Sequence, residues 1–141
     1  MTTHDPGTPR LLAERTADGR YIARNERGAE VIVGAPGGEG SFSPGELLKI
    51  AVATCSALSA DHILVSRLGE DFPASVSISS TSVPDENRYA EIASILNVDL
   101  STLPEERREA LIARAMKAID RICTVGRTLE HGAHTRFDFD T

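Results

Sequence analysis

Phe42-Ser-Pro-Gly-Glu-Leu-Leu-Lys-Ile-Ala-Val-Ala-Thr-Cys-Ser-Ala-Leu58 is the stretch that organises this chain. Ser43 suits a helix N-cap, Pro44 the first helical position, and Glu46 the third position of a capping box. From Leu47 to Leu58 nearly every residue is apolar or small, and Lys49 is the only charge. A helix apolar on almost all sides is a buried one. The pattern predicts a helix running to about Arg67 and stopping at Gly69. So apolar a helix needs cover on every face, which a sheet and a partner subunit could supply.

Working outward toward the N-terminus, Leu11–Arg15, Arg20–Arg24 and Glu30–Val33 are short extended candidates. Asp18-Gly19 and Arg27-Gly28 separate them, and Asp-Gly between strands is a strong hairpin signal. A β-meander is therefore expected. Residues 34–40 form a glycine-rich connection without the lysine and spacing of a phosphate-binding P-loop, and read as a flexible loop. Residues 1–9 are polar, carry Pro6 and Pro9, and read as a disordered tail rather than a secretory signal.

Toward the C-terminus, Ala74, Val76 and Ile78 alternate with Ser75, Ser77 and Ser79, the period of a half-buried strand over Ala74–Val83. Pro84-Asp-Glu-Asn87 is turn chemistry, and Tyr89–Leu100 reads as the antiparallel partner. A second helix starts near Pro104, with Leu111, Ile112, Ala115, Met116, Ile119, Ile122 and Cys123 on its apolar stripe. Gly126 or Gly132 is expected to end that region, and Thr135–Thr141 reads as a final strand. The order is βββ-α-ββ-α-β, an α+β fold in a single domain over residues 10–141.

The chain has 141 residues, 40% hydrophobic and 26% charged, with a net charge of -6. That acidic balance lacks the basic face a nucleic-acid binder needs. No run approaches the roughly 18 consecutive apolar residues of a membrane span. The expectation is a cytoplasmic protein with no nucleic-acid or membrane partner. Two cysteines in a reducing compartment are more often free, catalytic or redox-cycling than a permanent staple.

Cys55 and Cys123 lie 68 residues apart, and neither belongs to a C-x-x-C pair. The four histidines (His4, His62, His131 and His134) fall into no metal-ligand pattern, and no metal or cofactor is expected. Each cysteine has a bland explanation as a small buried hydrophobe. The other reading needs a thiolate, because the thiolate is the nucleophile. Cys55 lies well inside its helix, and Cys123 near a helix C-terminus, where the dipole disfavours an anion. A nearby cation such as arginine would then have to supply the activation.

The segment around Cys55 resembles the central-helix signature of the OsmC/Ohr family: a Pro and a Glu at the helix start, an Ala-rich stretch, and a Cys eleven positions after the Pro, as from Pro44 to Cys55. Ile122-Cys-Thr-Val-Gly-Arg-Thr-Leu129 resembles the family's second motif, a Cys followed by a short helix. The resemblance covers about residues 10–141 and implies an intertwined homodimer. It implies a peroxide reductase in oxidative-stress defence, with an organic hydroperoxide or hydrogen peroxide as substrate. Cys55 would be the peroxidatic thiol, Cys123 the resolving one, and a dithiol the reductant. The family places a catalytic Glu directly after the helix-start Pro, where this chain has Gly45, with Glu46 one position later. One residue along a helix is a turn of about 100°. Capping is a sufficient structural role for Glu46, and catalysis the second reading. The family's activating Arg comes from the N-terminal strands or the loop before the helix. No Arg lies between Gly28 and Glu46, so Arg15, Arg20, Arg24 and Arg27 are the candidates, with Arg20 and Arg24 preferred. The alternative functions are a non-catalytic dimer binding a small apolar ligand, and a redox sensor.

Overall fold

The structure, a computed structural model, describes residues 10–141. The expected tail at residues 1–9 lies outside the described residues. Two compact units divide the chain between Leu48 and Lys49.

The first unit holds an antiparallel meander of β1 (Leu11–Arg15), β2 (Tyr21–Asn25) and β3 (Glu30–Val33). Ala13 faces Ala23, and Ile22 faces both Glu14 and Ile32. Gly19 and Gly28 take left-handed backbone at φ 83° and 91°, so both connections use the glycine where a side chain would be strained. The glycine-rich loop is closed at its base, where the Phe42 N–H donates to the Ile32 carbonyl and the Gly34 N–H to the Phe42 carbonyl, each at 2.9 Å. α1 (Pro44–Leu68) then begins with the expected capping box. The Ser43 N–H donates to Glu46 Oε1 at 2.9 Å, and the Glu46 N–H donates to Ser43 Oγ at 3.2 Å.

In the second unit α1 runs to Leu68 and stops where expected. Gly69 has φ 85° and its N–H returns to the Val65 carbonyl. β4 (Ala74–Val83) and β5 (Arg88–Val98) form an antiparallel ribbon with a bulge between Thr81 and Ser82. α2 (Glu105–Ile122) carries Leu111 and Ala115 into a core with Ala60, Ile63 and Leu64 of α1. Lys49, the one charge in the apolar stretch, puts its ammonium 5.1 Å from the centre of the Tyr89 ring. α1 is long and apolar enough to cross a membrane by length and composition alone, a test that the core helix of a globular protein also passes.

Two expectations near the C-terminus need correction. The second helical region ends at Gly132, one of the two expected stops, but it is not one continuous helix. It breaks at Cys123, whose extended backbone (φ -71°, ψ 93°) ends α2 and starts α3 (Thr124–His131). Nor is Thr135–Thr141 a strand. A strand exists by pairing with a neighbour, and this segment has no ladder partner among the described residues. Phe137 and Phe139 meet edge to face, 5.8 Å between ring centres, and are each 87% exposed.

Candidate functional site

Apolar helices carry hydroxyls at little cost when the hydroxyl bonds back to a carbonyl one turn earlier. α1 does this repeatedly beside Cys55. Ser56 Oγ donates to the Val52 carbonyl at 3.0 Å, and Ser59 Oγ donates to the Cys55 carbonyl at 2.7 Å. Ser56 and Ser59 are three residues apart and Cys55 and Ser59 four, so the three side chains share one side of the helix.

Cys123 packs against that patch. Its Sγ lies 3.5 Å from Ser56 Oγ, with either atom able to donate. The Gly126 N–H also donates to Cys123 Sγ, at 3.4 Å. Cys123 is thus the N-cap of α3, and its sulfur accepts the bond a capping oxygen would take. A side chain at Gly126 would begin 3.1 Å from Cys123 Sγ, closer than such contacts normally come. The glycine leaves the sulfur its place.

These contacts set the ionisation of Cys123. The residue is 2% exposed, and burial pushes its pKa up. The Ser56 hydroxyl, the Gly126 N–H, the Cys55 thiol and the Ser59 hydroxyl together outweigh burial, and the thiol ends below its ordinary value. All four groups are uncharged. The expected helix C-terminus at Cys123 is there, but it is not the only helix end beside the sulfur. Cys123 closes α2 but opens α3, and the positive end of α3 faces it.

Both cysteines are free thiols, and Cys55 sits near enough to Cys123 to help hold its pKa down. Cys55 is the more accessible of the two, half-buried where Cys123 is buried. Next to them, between α1, the ribbon and α2, lies an apolar pocket of about 260 Å³ lined in part by Val52, Ser56, Ile92, Leu96, Met116 and Ile119. Ser56 belongs to both the pocket wall and the surroundings of Cys123.

The other candidates occupy the first unit. Arg20 binds the Asp18 carboxylate at 2.7 Å through one guanidinium nitrogen, and donates to the Glu39 carbonyl at 3.1 Å. Asp18, held by the Thr16 hydroxyl and then by Arg20, has its carboxyl lowered to about 2. Arg24 is paired with Glu14 at 3.0 Å and Glu30 at 3.4 Å. Glu46 is engaged in the capping box.

Ser56, Ser59 and Gly126 escaped the reading of the sequence. A signal existed for the last: Cys123 and Gly126 stand at N-cap and third-position spacing ahead of a short polar helix. Nothing local marks Ser56, whose importance comes from a residue 67 positions away.

A β-meander, a long apolar helix, a ribbon and a helix pair with two free thiols near each other define an α+β protein with a cysteine pair. The OsmC-like protein family model matches residues 37–138, and the chain belongs to that family. It is 46% identical over 122 residues to the uncharacterized proteins Rv2923c of Mycobacterium tuberculosis and Mb2948c of Mycobacterium bovis, covering 86% of this chain and 89% of each relative. Among solved structures it is similar to a hypothetical protein from Aquifex aeolicus (TM-score 0.66, 17% identity, 88% of each chain). It is also similar to the organic hydroperoxide resistance protein OhrB of Bacillus subtilis (TM-score 0.55, 18% identity, 86% of this chain and 90% of that one). These likenesses concern the fold.

Proposed function

We propose that this chain is a thiol-dependent peroxide reductase acting through Cys55 and Cys123. The observation that carries the reading is the nearness of two free thiols, with Cys123 held below its ordinary pKa by four uncharged neighbours, the Cys55 thiol among them. In this reading the accessible Cys55 thiolate attacks the terminal oxygen of a hydroperoxide. The O–O bond breaks, the alcohol leaves with a proton, and Cys55 becomes a sulfenic acid. The Cys123 thiolate then attacks the Cys55 sulfur, and hydroxide leaves as water after taking a proton. The resulting disulfide is reopened by a dithiol, restoring both thiols. The apolar pocket beside Ser56 favours a peroxide with a hydrocarbon body.

The reading includes a homodimer of a single domain over residues 10–141, at work in the cytoplasm. Leu58 is 72% exposed and Ile95 64% exposed on the second unit, and Met116 and Ile122 are also exposed. Large apolar side chains left in water favour a second copy as cover. Light scattering at micromolar concentration is expected to give twice the chain mass, and a monodisperse monomer would refute this.

The deciding experiment is intact mass under non-reducing conditions after exposure to cumene hydroperoxide or hydrogen peroxide. Rapid loss of two hydrogens is expected, with cumene hydroperoxide the faster reagent. Cys55→Ser should abolish the reaction, and Cys123→Ser should leave a trapped sulfenic acid. Equal peroxide consumption by wild type and Cys55→Ser would sink the proposal.

A second reading, a non-catalytic binder of a small apolar ligand, draws on the ion pairs that occupy Arg20 and Arg24. It requires Cys55 to react no faster than a free thiol and the pocket to retain a ligand through purification.

A further inference from the structure

We infer that Ser56 is a positioning residue that makes Cys123 the leaving thiolate when the Cys55–Cys123 disulfide is reduced. This rests on reading the two cysteines as a reversible pair.

Two sulfurs of a disulfide are open to attack, and exposure favours one. Cys55 is half-buried, while Cys123 is 2% exposed. An incoming dithiol therefore meets Cys55. Its thiolate forms a bond to Cys55 Sγ, the bond between the two cysteines breaks, and the electron pair departs on Cys123 Sγ. The second thiol of the reductant loses its proton and attacks its partner sulfur in the mixed disulfide, closing a cyclic disulfide. Cys55 leaves as a thiolate and takes up a proton. The reductant is oxidised, and the protein gains two electrons.

A better leaving thiolate makes the first step faster and the disulfide more oxidising. Ser56 is built to supply that. Its hydroxyl has one proton and two acceptors in reach, the Val52 carbonyl at 3.0 Å and Cys123 Sγ at 3.5 Å. Against a neutral thiol, the hydroxyl donates to Val52 and accepts from the S–H. Against a thiolate, it turns and donates to sulfur, a charge-assisted bond of the stronger kind. The Val52 carbonyl can still accept the backbone N–H one turn on, so the turn of the hydroxyl costs little. A disulfide sulfur carries no charge and gains little from that donor. The hydroxyl therefore favours the reduced state over the oxidised one. The Gly126 N–H points the same way but is fixed by α3, which leaves Ser56 as the part that can be changed by one substitution.

The test forms the disulfide with diamide in the full-length protein, so no peroxide is involved. Reduction by dithiothreitol at neutral pH is then followed in wild type, Ser56→Ala and Ser56→Thr. Ser56→Ala should slow reduction about tenfold and shift the exchange equilibrium toward the disulfide about tenfold, or about 30 mV in potential. In a Cys55→Ser background, the thiolate absorbance of Cys123 should emerge at higher pH once Ser56 is alanine. Ser56→Thr, which keeps the hydroxyl, should restore both readings. Unchanged rate and titration in Ser56→Ala would overturn the role of Ser56 while leaving the pair intact, and so would failure of threonine to rescue an altered Ser56→Ala. No intramolecular disulfide with diamide would overturn the pairing itself. A Ser56 effect in a protein without peroxide turnover would support this inference and remove only the peroxide reading.

Discussion

Arg20 and Arg24 in the first unit and Cys123 in the second handle charge in contrasting surroundings. The guanidiniums are partly exposed, Arg20 closed onto Asp18 in the turn before β2 and Arg24 onto carboxylates of the two neighbouring strands. Ion pairs in water contribute little, roughly 0–1 kcal/mol each. The sulfur is almost entirely out of water, among hydroxyls and an amide that bear no net charge. Away from water a hydrogen bond is stronger and an unmade one costs more. A few neutral donors can therefore prepare a thiolate without a cation beside it.

Cys55→Ser should give the largest effect, lowering peroxide consumption more than about a hundredfold as removal of a nucleophile does. Steady-state turnover with a dithiol measures it. Next comes Leu111→Ala, which opens a hole in the second unit's core and should cost about 2–5 kcal/mol in urea unfolding. An unchanged midpoint would show that Leu111 does not anchor that core.

Arg24→Gln sharpens the contrast directly. Its exposed pairs predict a stability change within about 1 kcal/mol. If peroxide turnover collapses while stability holds, the arginine serves the attacking thiol Cys55, and the neutral donors around Cys123 are not sufficient for turnover. Glu46 separates in a similar way. Glu46→Ala should cost about 1 kcal/mol through the lost cap, whereas Glu46→Gln keeps the capping geometry and the stability. Loss of turnover in Glu46→Gln with stability intact would assign the carboxylate a chemical role.

The smallest effect is in pH. Cys123 ionises at lower pH in the folded chain than in the unfolded one. Between those two values the unfolded chain binds more protons, so stability rises with pH and is lost again as pH falls through the folded value. Cys123→Ser should flatten that part of the profile. An identical slope in both proteins would mean the thiol is not ionised early.

Residues that act on their immediate neighbours were legible. Ser43 and Glu46 announce a capping box, Asp18-Gly19 a turn, and the Ser/Val/Ile alternation after Ala74 a strand, and each has the geometry expected. The break at Cys123 was not legible, because helix-compatible residues flank it on both sides and a single extended residue makes the difference. The C-terminal segment misled for a related reason. Phe137 and Phe139 have the spacing of a strand, but pairing requires another edge, which local spacing cannot supply.

The sequence alone determined α1, the start of the second helical region, the meander, the ribbon and the presence of two thiols, since propensity, capping and periodicity act within a few residues along the chain. The tertiary structure decided which groups meet Cys123. Ser56 reaches it across 67 residues and Gly126 through a helix start that exists only because α2 stops. Ionisation depends on burial and donors within a few ångströms, and those distances are set by packing.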